Sequence, residues 1–506
     1  MKGRGLMAYL LPSLGSMVWM TAFFSVVGMG PRLMNMDGDL GRHLTIGEYI
    51  LSSGQVPIVD LFSHTMAGRP LVPHEWLAQV IFALAYRLMG LDGVVLISAA
   101  VIAFSFWLVF RRALAKSQQP LLAVAVTVLA MASASLHWLA RPHIFTFLML
   151  ALWIDALERM RCGYLRAWLR LPVIMLAWAN LHGAFIAGFV TWLLVGIGLA
   201  WDVFWTRRAD FVPAGFGRAF LLGGAAAFLA TLVNPAGVGL WFTSVGYIGS
   251  RYLVNHTAEY LPPDFHDPST WPFLLMVGLV VAALGLRARR VAAAHLFLLA
   301  AWLVMALYSV RNVPLFALVA APQLAAISAG WLEAHAGRLR LLARWLALEG
   351  RLYQTEAALK GMVWPAALAA LLGLALAGGA ALDYAGQGNR FDPTVFPAAA
   401  VDWMQAHPPA GNGFNYFPWG GYLLYRLWPE ERVFIDGQTD FYGEALTRQY
   451  EQVITLGPGW EQVLTYYQVR WALLPPDEPL VGVLAERPGW KIVYQDATAA
   501  LLARDE

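Results

Sequence analysis

Between Met36 and Trp76 the chain reads MDGDLGRHLTIGEYILSSGQVPIVDLFSHTMAGRPLVPHEW, a polar stretch carrying Asp37, Asp39, Glu48, Asp60 and Glu75 with His43, His64 and His74. Carboxylates and imidazoles gathered in one segment can move protons: a positioned carboxylate takes the proton of an incoming hydroxyl or amine, while cations nearby stabilise a departing phosphate. Asp37 and Asp39 form a glycine-flanked D-x-D whose side chains can converge on an acceptor or on a cation, and they are the candidate catalytic pair. The plain alternative is a solvated turn. His43, His74 and Glu75 are candidates for the acceptor side of the same site, although Glu75 just ahead of the apolar run Leu77 to Ala85 also suits a helix N-terminus. The histidines lack the i, i+4 spacing of a helical zinc pair. A loosely held Mg²⁺ or Mn²⁺ at Asp37 and Asp39 stays open, since such ions take carboxylate oxygens and keep waters.

The elements that must position these groups are membrane helices. Of 506 residues 59% are hydrophobic and 13% charged, against roughly 45–50% and about 25% in globular chains. A bilayer span takes about 20 apolar residues. By that ruler the expected spans are Tyr9 to Gly28, Gly93 to Phe110, Leu121 to Trp138, Ile144 to Leu157, Ala167 to Asn180, Ala184 to Phe204, Phe220 to Val233, Trp271 to Leu286, Ala292 to Tyr308, Pro314 to Ala329 and Met362 to Ala381, about 11 transmembrane helices. With the N-terminus inside, the cytoplasmic loops hold Arg111-Arg112-Lys116, Arg159 to Arg170, Arg207-Arg208, Arg287 to Arg290 and Arg338 to Lys360, as the positive-inside rule requires. The net charge of +3 shows no basic surface for nucleic acid, and the single Cys162 excludes an internal disulfide. Lys2 and Arg4 ahead of Leu6 to Val27 read as a signal anchor. The Arg-interleaved segment Arg338 to Lys360 reads as a helix lying along the inner headgroups.

The opposite face then receives the acidic loop and four helix corners: Arg141 in LARPHIF, His182 in WANLHG, Asn234 in LVNPAG and Arg311 in SVRN. Polar groups at a membrane are costly unless paired, so they mark sites by default. Arg141, Arg311 and His182 are candidates for a lipid phosphate; for a lone arginine at a helix end the plain reading is snorkelling to headgroups. Asn234-Pro235 reads as a helix terminator. From Asp383 the composition becomes that of a soluble domain. Helices are expected at Pro397 to Ala406, from Gly420, at Glu444 to Thr455 and at Glu461 to Tyr467, with strands at Gly413 to Phe417, Arg432 to Ile435, Arg470 to Leu474 and Lys491 to Tyr494. That alternation implies a small α/β domain. The division is thus a membrane domain over 1–382, with a catalytic outer loop over 29–91, and an extracytoplasmic soluble α/β domain over 383–506.

The phrases MDGDLGRHLTIGEYIL, GQVPIVDLFSHTMAGRP, HEWL, ARPHIFTFL, WANLHG and LVNPAG, with FNYFPWGGYLLYRLWPEERVFIDGQTDFYG in the tail, resemble bacterial members of the GT-C superfamily of glycosyltransferases, of the dolichyl-phosphate-mannose mannosyltransferase and aminoarabinose transferase type. The resemblance implies a polytopic α-helical inner-membrane enzyme that transfers a sugar, with inversion, from a polyprenyl-phosphate donor to a glycan, lipid or protein acceptor on the extracytoplasmic side. It makes Asp37 the best match to the family's catalytic acid and Asp39 the next, while Glu48, Asp60 and Glu75 compete as the second loop acid. A transporter or flippase would favour broken helices at the midplane and related halves. A non-catalytic scaffold of envelope glycan assembly would have no use for the acidic loop.

Overall fold

The computed structural model describes residues 8–206, 212–287, 291–359, 361, 363–381, 383–384 and 386–505; Lys2, Arg4, Arg207, Arg208, Arg289, Arg290, Lys360 and Met362 lie outside them. The chain is an integral membrane protein, built mostly of helices. In order the helices that matter here are α1 (Leu14–Gly28), α2 (Asp39–Ser53), α3 (Trp76–Ser117), α4 (Pro120–Ala134), α5 (His143–Arg161), α6 (Arg170–Leu181), α7 (Ile186–Phe204), α8 (Phe216–Thr231), α9 (Trp271–Arg287), α10 (Ala293–Tyr308), α11 (Val313–His335), α12 (Arg340–Ala358) and α13 (Val363–Ala377), with shorter helices at Gly30–Asn35, Gly239–Gly249 and Arg251–His256. Each of the eleven expected apolar segments overlaps one of these helices. Among the described residues six helices are long and apolar enough to cross a bilayer, or seven if the pair α12 and α13, bent by 69°, is one span; α8 and α10 are apolar but shorter.

The ends of these helices follow local chemistry. Ser13 accepts the Ser16 amide at the start of α1, and proline opens α4, where its missing N–H costs nothing. Helix α3 breaks at Met89 and Gly90, the latter with φ 60°, so its outer part, Trp76 to Leu88, is set off from the part that continues to Ser117. Around α3 pack α1, α2, α5 and α11, burying Phe82, Phe106 and Phe110 completely.

The acidic stretch is not an open loop. Its first half is α2, which buries Leu40, Leu44, Ile46 and Ile50 and stops at Gly54 in the left-handed region, φ 69°, the usual helix stop. Its second half is irregular and tied down: the Asp60 carboxylate accepts from the Ser63 hydroxyl at 2.6 Å and the Phe62 amide at 3.0 Å.

Four strands close the C-terminal region: β1 (Asn412–Asn415), β2 (Val469–Leu474), β3 (Trp490–Gln495) and β4 (Ala500–Arg504), in the order β1-β2-β4-β3. β1 and β2 are parallel, and the other two pairs antiparallel. The helices expected here are present as α14 (Ala398–Ala406), α15 (Gly420–Leu427), α16 (Thr439–Ile454) and α17 (Trp460–Tyr466), joined by an unexpected α18 (Pro479–Ala485). The strand expected at Arg432 to Ile435 does not form. That segment makes a single bridge, between Val433 and Ser63, because the Asn415 amide takes the place of a neighbouring strand: its Oδ1 accepts the Phe434 N–H at 2.8 Å and its Nδ2 donates to the Ile435 carbonyl at 2.9 Å. One apolar cluster unites Ile46, Ile50 and Phe62 with Met404, Trp419, Tyr422, Leu424, Trp471 and Leu501. At roughly 1.5–3 kcal/mol for each large side chain buried, this seam fixes the sheet-bearing region onto α2. Gly41 and Gly421 allow a close approach, since a Cβ on Gly41 would run into the Gly421 carbonyl.

Candidate active site

The polar ends of seven segments meet at one end of the bundle. Asp37 sits in the turn before α2 and accepts the Asp39 amide at 2.9 Å; Asp39 opens the helix. Arg141, at the corner before α5, spreads its guanidinium over both: Nη2 lies 2.7 Å from Asp39, and Nη1 pairs with Asp37 and with Glu259. Arg311, at the entry to α11, reaches Glu259 at 3.5 Å and donates to the Tyr260 hydroxyl at 2.8 Å.

A second layer is organised around Glu75. Its side chain caps nothing at the start of α3 and instead faces Arg42 at 3.7 Å, His182 at 3.7 Å, His74 at 3.8 Å and His43 at 3.9 Å. His182 is aimed by Thr146, 2.9 Å from its Nδ1, and Thr146 in turn accepts from the Trp178 indole at 2.9 Å. The turn before α16 closes the far side: Asp436 lies 3.7 Å from Arg42, Gln438 accepts from Arg42 at 3.2 Å, and Asp440 lies 3.6 Å from His74.

Most of these groups line a cavity of about 1400 Å³, with His43, Thr146, Trp178 and Asp436 standing behind them. One wall is apolar, with Ile186, Val190, Trp302 and Met305, and beside them Val304 and Tyr308 are 66% and 65% exposed on the bundle's outer face. The opposite wall comes from the C-terminal region, with Tyr416, Phe417, Gln438 and Asp440. The carboxylates stand where the two walls meet. Burial pushes the Asp37 carboxyl up to about 6, against the pull of Arg141 and aided by Asp39 and Glu259. Burial opposes the charge on Glu259 as well, yet Arg141 and Arg311 outweigh it and hold that carboxyl well below the usual range. Burial, with Arg42 beside it, keeps His43 well below its ordinary value and so neutral.

Asp37, Asp39, His74, Glu75, Arg141, His182 and Arg311 therefore share one cavity. His43 does not line it; it is fully buried behind Glu75. Of the competing loop acids only Glu75 is here, because Glu48 pairs with Arg87 at 2.6 Å on the surface and Asp60 builds its turn. Asn234 lies outside the cavity and holds its own turn, accepting the Ala236 amide at 2.8 Å. The divalent ion considered for Asp37 and Asp39 meets a contrary arrangement: a guanidinium already bridges the two carboxylates. Among the described residues no group of three or more His, Cys, Asp or Glu could hold a metal ion. The sequence reading did not single out Arg42, Glu259, Asp436 or Asp440. The last two stand in the phrase DGQTD, which opens on the same Asp-Gly step as Asp37-Gly38; Arg42 lies one turn after Asp39 on the same helix face.

The fold and site define a polytopic helical membrane protein with an ion-paired acidic centre between an apolar cavity and a sheet-bearing cap. No family model matches the sequence, and no curated protein does. Among solved structures the chain is similar to the oligosaccharyltransferase AglB of the archaeon Archaeoglobus fulgidus. With AglB in complex with an inhibitory peptide and a dolichol-phosphate, it shares 13% identity at a TM-score of 0.57, over 91% of this chain and 69% of that one. With an oligosaccharyltransferase of Archaeoglobus fulgidus tethered to an acceptor peptide containing the NVT sequon the figures are 12%, 0.57, 97% and 74%. ArnT of Cupriavidus metallidurans matches over 97% of each chain at 16% identity and a TM-score of 0.49. The chain thus shares its fold with that archaeal oligosaccharyltransferase.

Proposed function

We propose that this protein is an inverting membrane glycosyltransferase that moves a sugar from a polyprenyl-phosphate-linked donor to a glycan, lipid or protein acceptor on the extracytoplasmic side. The observation that carries the reading is the acidic pair clamped by Arg141 at the seam between an apolar wall and a polar one: a lipid tail suits the first, an acceptor the second. On the same fold AglB is in complex with an inhibitory peptide and a dolichol-phosphate, and an Archaeoglobus fulgidus oligosaccharyltransferase is tethered to an acceptor peptide. The acceptor oxygen or nitrogen attacks the anomeric carbon as the bond to the phosphate oxygen breaks. Asp37 takes the acceptor's proton, and the polyprenyl phosphate departs with the bonding electrons. Arg141 and Arg311 face the departing phosphate, with His182 behind them, while Asp39 holds the Arg141 fork in place. His74 and Glu75 line the acceptor side, and His43 supports Glu75. No step is assigned to a divalent ion.

Eleven spans, a cytoplasmic N-terminus and a C-terminal region from 383 on the outer side complete the proposal. An impermeant thiol reagent should label Ser53→Cys in intact cells and spare Cys162; the reverse pattern inverts the topology. The decisive assay follows label from polyprenyl-phosphate hexose, pentose and aminopentose donors into acceptor material, using the purified protein in lipid. Transfer of none of them by the wild type sinks the transferase reading.

A further inference from the structure

We propose that the turn Asp436–Asp440, in the C-terminal region, is a positioning device for the acidic centre, with Gly437 and Asp436 setting the place of Asp39 and Arg42. The inference rests on the transferase reading above, and it assigns the C-terminal region a part in catalysis rather than a merely adjacent position.

Three independent observations meet at this turn. First, the Asp39 carboxylate lies directly on Gly437, so a Cβ at that position would fall inside contact distance of its oxygens. Asp39 can stand 2.7 Å from Arg141 only because position 437 has no side chain. Second, Arg42 is 3% exposed and its charge is shared among Asp39, Glu75 and Asp436, each at 3.7 Å. Among the described residues its Nε makes no hydrogen bond, so it is held by these ion pairs and the Gln438 contact, with Asp440 adding to the pull. A buried cation needs such partners, and removing one leaves charge uncompensated. Third, Asp436 is rigid in its own right: it accepts the Gln438 amide at 2.8 Å and the Tyr442 hydroxyl at 3.1 Å. The chain of contacts runs from Tyr442 through Asp436 and Arg42 to Asp39 and Glu75, and every link is buried. A displacement of the turn therefore reaches both layers of the site at once.

The test uses full-length protein reconstituted in lipid, with the polyprenyl-phosphate sugar that the wild type transfers, and measures kcat and donor KM separately. Gly437→Ala must push the Asp39 carboxylate aside, so kcat should fall by roughly a hundredfold with donor KM nearly unchanged, in the range that misplacement of a catalytic group produces. Asp436→Asn keeps the turn's shape while removing the charge that faces Arg42, and should lower kcat about tenfold. It serves as the readout if Gly437→Ala does not fold. Arg42→Gln should be as impaired as Gly437→Ala, and Arg42→Lys should recover part of the loss, which a packing role would not predict. Gly482→Ala, in the same region with nothing within 4 Å of an added Cβ, should be neutral. Asp37→Asn is measured in parallel. An inactive Asp37→Asn beside folded Gly437→Ala and Asp436→Asn at wild-type kcat overturns this inference alone; a fully active Asp37→Asn, or a wild type that transfers no donor, overturns the functional reading and this inference with it.

Discussion

The same bundle carries a cluster of buried charges at each end, and the two are built differently. At the end away from the cavity, Glu158 meets His295 at 2.8 Å, Arg161 at 2.9 Å and Lys116 at 3.2 Å, and beside it Asp155 meets Arg112 at 2.5 Å and Arg159 at 2.6 Å. Both carboxylates of this cluster are closely paired and cations are in excess, and none of these side chains lines the cavity. At the cavity end six carboxylates (Asp37, Asp39, Glu75, Glu259, Asp436 and Asp440) face three arginines (Arg42, Arg141 and Arg311). Many of the separations there are 3.6 to 3.9 Å, beyond hydrogen-bond reach. Helix α5 joins the two ends, with Arg141 at one and Glu158 at the other, roughly 25 Å apart at 1.5 Å per residue. A closed network in which cations outnumber acids holds helices together; at the cavity end only the Arg141 pairs are short, and the oversupplied, loosely spaced acids around Arg42 and His74 beside 1400 Å³ of space leave room and charge for a substrate.

The contrast can be broken most directly by exchanging the fates of the two ends. Asp37→Asn keeps the shape of the side chain and removes its basicity, so transfer should collapse by ~10²–10⁴-fold while the thermal unfolding midpoint stays near wild type. Glu158→Gln should do the opposite: stability falls by roughly 3–5 kcal/mol as buried cations lose their partner, while turnover per folded molecule holds. Differential scanning fluorimetry beside the transfer assay reads both, and the reversed result would erase the distinction.

A smaller effect is expected at Arg141→Lys, which keeps the charge and loses the two-armed fork. Loss of one charge-assisted hydrogen bond, about 1.5–3 kcal/mol, corresponds to roughly ten- to a hundredfold in kcat/KM, and a rate within error of wild type would remove the clamp from the mechanism.

The pH response follows from the two carboxyls raised to about 6, Asp37 and Asp436. With Asp37 as the proposed base, the rate should climb through about 6 toward a plateau, and the limb should vanish in Asp37→Asn. Stability should run the other way. Both folded-state values exceed the ordinary 3.8, so the contribution of these groups to folding is complete below that value and is lost as pH rises through about 6. A rate that falls across this window would remove Asp37 as the base. The smallest effect belongs to chelation: with a guanidinium bridging Asp37 and Asp39, EDTA should leave transfer unchanged, and restoration of a lost activity by Mg²⁺ or Mn²⁺ would show that an ion displaces Arg141.

Much of the helical bundle was legible because the signal is local. A run such as Gly93 to Phe110 is apolar enough that only a bilayer or a dense core accommodates it, and each such run is helical here. The acids and arginines were legible for the complementary reason: Asp37, Glu75, Arg141 and Arg311 stand at helix ends in a chain with few charges, where each must find a partner. Less was legible where side chains replace backbone. Asn415 satisfies the Arg432 to Ile435 segment with its amide, and no periodicity announces that a segment of strand-like composition will stay irregular.

Composition and spacing alone thus determined that the chain enters a membrane as helices and that its reactive groups gather at one set of helix ends, since hydrocarbon accepts apolar helices and rejects unpaired charge residue by residue. Which acids stand together was decided by tertiary structure. Arg42 meets Gln438 across 396 positions of sequence, Glu75 rather than Glu48 or Asp60 joins the centre, and Gly437 leaves the space that Asp39 fills. Those contacts depend on how α2 packs against α3 and α15 as a whole, and such packing is a sum over many distant side chains that no window of sequence contains.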